Sequence, residues 1–168
     1  MGNKSVRIKV MLTLTGGGFL WEAKSLIKGL KGNYEYCFVT TNDSMIPLPG
    51  EIPEGTVYRV ERMPGRQDGS VRRMVSQYLM SFFDTYKLLK KLDIQIIVCI
   101  GTPLAIPLCI WGKLYRHSTI FVESITRTSD ISRTARLLLF LRLCDRVYVQ
   151  WPELARSFKG TVYKGNVL

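Results

Sequence analysis

The sequence predicts an α/β domain built on one doubly wound parallel sheet, and three observations carry that expectation. Strand-like and helix-like segments alternate along the whole chain. Residues 94–100 form a run dominated by β-branched residues, as in a central strand buried on both faces. The first strand-like run is followed at once by Gly16, Gly17 and Gly18 and then by a segment at helical spacing, which is how a doubly wound fold opens. At 168 residues and 46% hydrophobic content the chain suits a single domain, 1–168, with a real core.

Taken in order, residues 7–14 alternate and then turn apolar, a first strand. Residues 19–30 place Phe19, Ala23, Leu26, Ile27 and Leu30 on one side of a helix. Residues 34–40 read as a second strand. Residues 42–55 hold Pro47, Pro49 and Pro53 and read as a loop. Residues 57–60 are a short third strand, and 63–69 a polar turn. Residues 71–92 give the clearest helix. Val71, Met74, Val75, Tyr78, Leu79, Phe82, Phe83, Tyr86 and Leu89 recur at i, i+3, i+4 spacing, opposite Arg72, Arg73, Lys87, Lys90 and Lys91. Its apolar face is expected to pack on the core, with membrane docking as the other use of such a helix. The strand 94–100 closes at Gly101-Thr102-Pro103. Residues 104–115 are a mostly apolar helix with Pro107 in its first turn, where the missing N–H does no harm. Residues 119–122 are a strand, 131–143 a helix, 146–150 a strand, 151–153 a short helical turn, and 161–163 a last short strand.

The formal net charge of +11 implies an acidic partner: nucleic acid, an anionic membrane or a phosphorylated ligand. Cys37, Cys99, Cys109 and Cys144 sit in apolar runs without CxxC spacing. With His117 as the single histidine, they form no zinc constellation and read as reduced core thiols. No metal or cofactor is expected. The N-terminus lacks an apolar signal core, and no run approaches a membrane span, so a soluble or peripheral cytoplasmic protein is expected.

The glycine loop lacks the Gly-Lys-Ser/Thr ending of a P-loop, and Trp21 takes the third glycine position of a dinucleotide fingerprint. It can still turn backbone N–H groups toward a diphosphate at the helix start, or simply make a tight turn. The strand 119–122 ends at Glu123, followed by Ser124, Thr126, Arg127, Thr128, Ser129 and Ser132. Such a stretch is either a polar-ligand loop at the sheet's carboxyl edge or an ordinary loop capped by Ser129 or Asp130. Glu22, one turn into the first helix, lies at the same edge, so Glu22 and Glu123 can share a cleft and either can act as a base toward a sugar hydroxyl. Arg127 and Arg133 can pair with phosphates or simply be solvated.

These residues carry a family resemblance that runs nearly end to end. Its marks are Gly17-Gly18 with Glu22; Gly101-Thr102-Pro103; Phe121-Val122-Glu123-Ser124 with Arg127 and Ser132; Asp145; Val149-Gln150-Trp151-Pro152-Glu153; and Tyr163-Lys164-Gly165. The chain resembles the acceptor-side subunit of split, two-chain glycosyltransferases: the Alg-type subunit of dolichol-linked glycan assembly and its bacterial counterparts in exopolysaccharide and capsule synthesis. The resemblance implies a Rossmann-like sheet equivalent to the N-terminal half of a GT-B, MurG-like enzyme. It implies a separate donor-binding glycosyltransferase subunit, the C-terminal GT-B half, for the UDP-sugar. This chain would bind a polyprenyl-diphosphate-linked acceptor and recruit the complex to an anionic membrane surface, peripheral at the inner face of the cell membrane. Glu123 or Glu22, or a group on the partner chain, would have to supply any base, which leaves open a non-catalytic, accessory role. Gly16, Gly17, Gly18, Ser124, Arg127, Ser132 and Arg133 would meet the diphosphate, and Trp151, Glu153, Tyr163 and Gly165 the partner. The family's loop reads Gly-Gly-His, and Phe19 replaces that histidine here, so no histidine chemistry carries over.

Two other classes compete. A basic nucleic-acid-binding protein would interleave its charges with exposed aromatics; the aromatics here fall on apolar faces, so no nucleic acid is expected. A self-contained small α/β enzyme using a nucleotide would want one of the phosphate fingerprints that the glycine loop lacks.

Overall fold

In the computed structural model, which describes residues 7–30, 34–44, 51–64 and 70–167, seven strands form one sheet in the order β3-β2-β1-β4-β5-β6-β7. The strands are β1 (Ile8–Thr13), β2 (Tyr34–Thr41), β3 (Gly55–Val60), β4 (Ile96–Ile100), β5 (Ser118–Val122), β6 (Arg146–Val149) and β7 (Thr161–Tyr163). Every neighbouring pair is parallel. Leu12 of β1 lies between Phe38 of β2 and Val98 of β4. The strand order reverses between β1 and β4, and that switch point leaves a crevice at the carboxyl ends of the strands.

Side chains alternate across the sheet and build two cores. Met11, Cys99 and Phe121 face the side covered by α2 (Val71–Lys91), α3 (Ala105–Leu114), α4 (Arg133–Phe140) and α5 (Pro152–Ser157). Val10, Leu12, Val98 and Val122 face the side of α1 (Gly18–Gly29), against Ala23 and Ile27. The doubly wound expectation holds, with one helix on one face and four on the other among the described residues.

Element by element, the boundaries follow the sequence reading within a few residues. Residues 45–50 and 65–69, which include Pro47, Pro49 and most of the turn expected at 63–69, lie outside the described residues. The four cysteines are free thiols, three of them buried. Burial, reinforced by Glu35 and opposed by Lys9, pushes the Cys37 thiol up to about 12 and keeps it protonated.

Two expectations need correction. Helix α4 begins at Arg133 and its N-cap is Ser132, whose hydroxyl accepts the Ala135 N–H, rather than Ser129 or Asp130. The reason is Ile131, which buries itself in the core and so holds the chain off the helical path until the following residue. The second correction concerns α2, whose apolar face packs on the core only in its second half. Ser81, Thr85, Leu88 and Leu89 are buried, while Val71, Val75, Leu79, Met80 and Phe83 are exposed. Length explains this. At 21 residues α2 spans roughly 31 Å, and the five residues of β4 span roughly 17 Å. The Glu61 N–H, just past β3, donates to Asp84 and pins that point of α2 to the sheet's carboxyl edge. The turns before it project past the edge.

Candidate functional site

Three chain segments meet at the carboxyl edge around one carboxylate. Glu22, on the first turns of α1, is turned inward and only 2% exposed. Its Oε1 accepts the Ser124 hydroxyl at 2.7 Å, and both oxygens lie 3.3 Å from the Ile125 N–H. Its Oε2 accepts the Gln150 side-chain amide at 2.9 Å. A carboxylate can be buried this way because every polar atom finds a partner; left unpaired it would cost several kcal/mol.

Glu123, at the end of β5 and 1% exposed, organises the other side of the same loop. Its Oε1 accepts the Ser124 N–H at 3.0 Å and its Oε2 the Ser132 N–H at 2.6 Å. Its backbone carbonyl accepts the second N–H of the Gln150 amide at 2.9 Å. The Trp151 indole donates to the Ile125 carbonyl at 2.7 Å. Loop 123–132 is thus closed at both ends by Glu123 and clamped at its start by Glu22, Gln150 and Trp151.

Glu22 and Glu123, expected to share a cleft, come together through Ser124 in a buried network instead of at an open cleft. Their surroundings differ from those expected of a base: neither carboxylate faces solvent, and both spend their oxygens on the loop. The Ser124 hydroxyl is spent on Glu22 and Thr126. The Ser132 hydroxyl oxygen caps α4, and its N–H donates to Glu123. Arg127 and Arg133 are exposed. Of the residues expected toward a partner, Trp151 is half-buried against the loop, whereas Glu153, Tyr163 and Gly165 are exposed.

The glycine loop lies at the switch point. Gly17 has φ +72°, a left-handed conformation that any other residue would strain. Phe19 turns its ring onto the Gly101-Thr102-Pro103 turn. Gly101 has φ +58°, and a Cβ there would lie 2.3 Å from the ring. The residue in place of the family's histidine therefore locks the first and fourth βα turns together. Beside it is a cleft of about 220 Å³ lined by Thr15, Gly16, Phe19, Ser44, Arg62 and Thr102, among others. Gly16 donates its N–H to the Ser44 hydroxyl, and Arg62 forms an ion pair with Asp43 at 3.5 Å. The Thr15 hydroxyl is buried here with no hydrogen-bond partner among the described residues. A buried hydroxyl of that kind, next to a helix start and an arginine, suits an anionic oxygen.

Sequence reasoning missed Thr15, Ser44 and Arg62, which come from three separate segments. It quoted Thr102 and Gln150 within motifs but gave neither a role. A glutamine directly after a strand of buried residues was the signal available.

Comparison with known proteins agrees with this geometry. The solved structure of MurG from Acinetobacter baumannii superposes with a TM-score of 0.66 at 17% identity, over 96% of this chain and 44% of that one. The UDP-GlcNAc 2-epimerase of Methanocaldococcus jannaschii gives 0.60 at 14% identity, over 89% and 41%. The fold is that of one half of a GT-B glycosyltransferase, and the chain spans under half the length of either structure. Among curated relatives, the UDP-N-acetylglucosamine transferase subunit ALG14 of Yarrowia lipolytica is 35% identical, over 94% of this chain and 80% of its own. The subunit of the same name from Rattus norvegicus is 25% identical, over 95% and 82%. A family profile described as "Oligosaccharide biosynthesis protein Alg14 like" matches residues 56–167, which take in the Glu123 loop, Gln150 and the C-terminal strands. On that match and the Yarrowia relative, the chain belongs to the Alg14-like family of oligosaccharide biosynthesis proteins.

Proposed function

We propose that this chain is the acceptor-binding, membrane-recruiting subunit of a two-chain transferase. The complex moves a sugar from a UDP-sugar to a polyprenyl-diphosphate-linked glycan, and the relatives' names support N-acetylglucosamine as that sugar. The word "subunit" in those names supports a donor-binding partner chain. Glu153, Tyr163 and Gly165 form the exposed side offered to it.

One observation carries the reading: a polar cleft and an exposed apolar stripe share the carboxyl edge of the sheet. Val75, Leu79, Met80 and Phe83 line a groove along α2, with Arg72 at one end and Lys87 at the other. An apolar stripe flanked by cations is what an anionic membrane interface binds. The cleft at Thr15, Gly16 and Arg62 lies on the same edge, where a lipid-linked diphosphate would present its charge. Arg127 and Arg133 remain in reach of bulk phosphate but outside this cleft. Among the described residues no helix is long and apolar enough to cross a membrane, so the proposed attachment by this part of the chain is peripheral.

Loop 123–132 then forms a wall of the acceptor site. Glu22 and Glu123 hold the loop in shape, and the base for the acceptor hydroxyl comes from the partner chain. Two experiments test this. First, the chain is mixed with vesicles of neutral or anionic lipid and sedimented; co-sedimentation with anionic vesicles is expected, and its absence defeats the recruiting role. Second, transfer from UDP-N-acetylglucosamine to a polyprenyl-diphosphate acceptor is measured with and without the partner. Transfer by this chain alone would overturn the division of labour. In the active complex, Glu123→Gln keeps one acceptor oxygen and most of the activity if Glu123 positions the loop. A loss of about a hundredfold or more with unchanged stability returns Glu123 to the role of base.

A further inference from the structure

The C-terminal segment is tied to the acceptor loop through a single buried side chain. Gln150 follows β6 and is 2% exposed. Its amide nitrogen donates to Glu22 Oε2 and to the Glu123 carbonyl, both at 2.9 Å. Its carbonyl oxygen accepts the Val167 N–H at 3.0 Å. The two acceptors on one side and the backbone donor on the other allow one orientation of the amide. Residues 164–167 run beside a cleft of about 390 Å³ on the α1 face of the sheet, walled by Leu26, Val122 and Tyr148.

We infer that Gln150 is a positioning residue that couples the C-terminal segment to loop 123–132. This inference rests on the proposed function, in which that loop faces the acceptor and Tyr163 and Gly165 face the partner. When the segment is seated, Val167 fixes the Gln150 carbonyl, and the amide's two N–H groups hold Glu22 and the end of β5. Glu22 in turn holds Ser124 and Ile125. When the segment is displaced, the amide loses the bond that anchors its carbonyl, and its hold on Glu22 and the Glu123 carbonyl loosens. Partner docking beside residues 163–167 thereby sets the shape of the acceptor loop. The chemistry explains why glutamine is needed. A glutamate at this position would set a third carboxylate against Glu22, and a methionine of similar length would offer no donor and only a weak acceptor.

The test begins without any assumption about function. Amide hydrogen exchange is followed at Ile125 and Ser132 in the wild-type chain, Val167→Pro and Gln150→Met. Val167→Pro removes one N–H at the margin of the fold, so the core stays folded even if Gln150→Met does not. Exchange at Ile125 and Ser132 is expected to quicken about fivefold in Val167→Pro, the scale of one net hydrogen bond. Leu12 and Phe38 should keep wild-type rates, and where Gln150→Met folds, Val167→Pro should add nothing to it. Unchanged exchange at Ile125 and Ser132 overturns the coupling, and so does equal quickening at Leu12. The second measurement is the acceptor KM of the two-chain complex carrying Val167→Pro. It is expected to rise severalfold at constant donor KM. If exchange quickens and the acceptor KM stays constant, the coupling stands and the acceptor role of the loop falls.

Discussion

Loop 123–132 buries the polar side chains at its start, Glu123 and Ser124, while the first half of α2, on the same edge of the sheet, exposes its apolar ones. Each reverses the ordinary distribution, in which carboxylates face water and leucines face the core. The loop tolerates the reversal because Glu22 and Glu123 between them receive N–H or O–H groups from Ser124, Ile125, Gln150 and Ser132. The helix does so because its early turns overhang the sheet and none of the described residues covers them. A buried, fully bonded network makes one shape and resists change. An uncovered apolar stripe contributes nothing to the fold and is free to bind. The proposed function uses both: a rigid wall for the acceptor and an adhesive edge for the membrane.

The largest test of this contrast is on stability. Glu22→Leu leaves the Ser124 hydroxyl, the Ile125 N–H and the Gln150 amide without their acceptor. At about 1–3 kcal/mol for each stranded buried group, a loss of about 3 kcal/mol or more is expected in the unfolding free energy measured by urea titration. Glu22→Gln keeps one acceptor oxygen and should lose clearly less. The double change Leu79→Ser, Phe83→Ser removes far more apolar surface, yet should shift stability by only about 0.5 kcal/mol, as for other surface positions. Comparable losses in the two regions would mean that α2 packs against something in the folded chain, and the contrast would break.

The sequence made the sheet legible and the site only in part, for physical reasons. Residues 94–100 and the strand-glycine-helix opening are local patterns, and local patterns specify parallel α/β order well. The amphipathic period of α2 is also local, and it states that two faces differ. It does not state what covers the apolar one, since that depends on where β3 ends and how far α2 outruns its neighbours. Glu22, Ser124 and Gln150 were each visible at a strand end or helix start. Their meeting spans 102 and 128 residues of chain, and no spacing rule reaches so far. Ser132 as N-cap was hidden by Ser129 and Asp130, equally good caps by type; the burial of Ile131 decided among them. Thr15 looked like the plain end of a strand, and only its unpartnered hydroxyl marks it.

A smaller effect is expected where α2 is tested for binding instead of stability. The Leu79→Ser, Phe83→Ser chain should lose affinity for anionic vesicles by about tenfold or more, since each side chain contributes about 1.5–3 kcal/mol when fully buried in an apolar phase. This loss should be the same at low and high salt, because apolar burial is not screened. Vesicle binding at wild-type strength in that variant would assign recruitment to another surface. Phe140, 83% exposed where α4 ends at the opposite edge of the sheet, is the next place to look.

Charge at the ends of the groove gives the smallest effect and the sharpest discrimination. Arg72 and Lys87 bracket Val75, Leu79 and Phe83, and a basic residue at an anionic surface contributes about 1 kcal/mol. Arg72→Gln should therefore weaken vesicle binding about fivefold at low salt and hardly at all once salt shortens the screening length to a few ångströms. Stability should not change. A membrane offers diffuse charge, so Arg72→Gln and Lys87→Gln should weaken binding equally and add independently. A protein partner would offer carboxylates at fixed places. One of the two substitutions would then dominate, and the loss would persist at high salt because the pair would be shielded from solvent. The salt dependence of these two variants thus separates a lipid surface from a second protein as the occupant of the same groove.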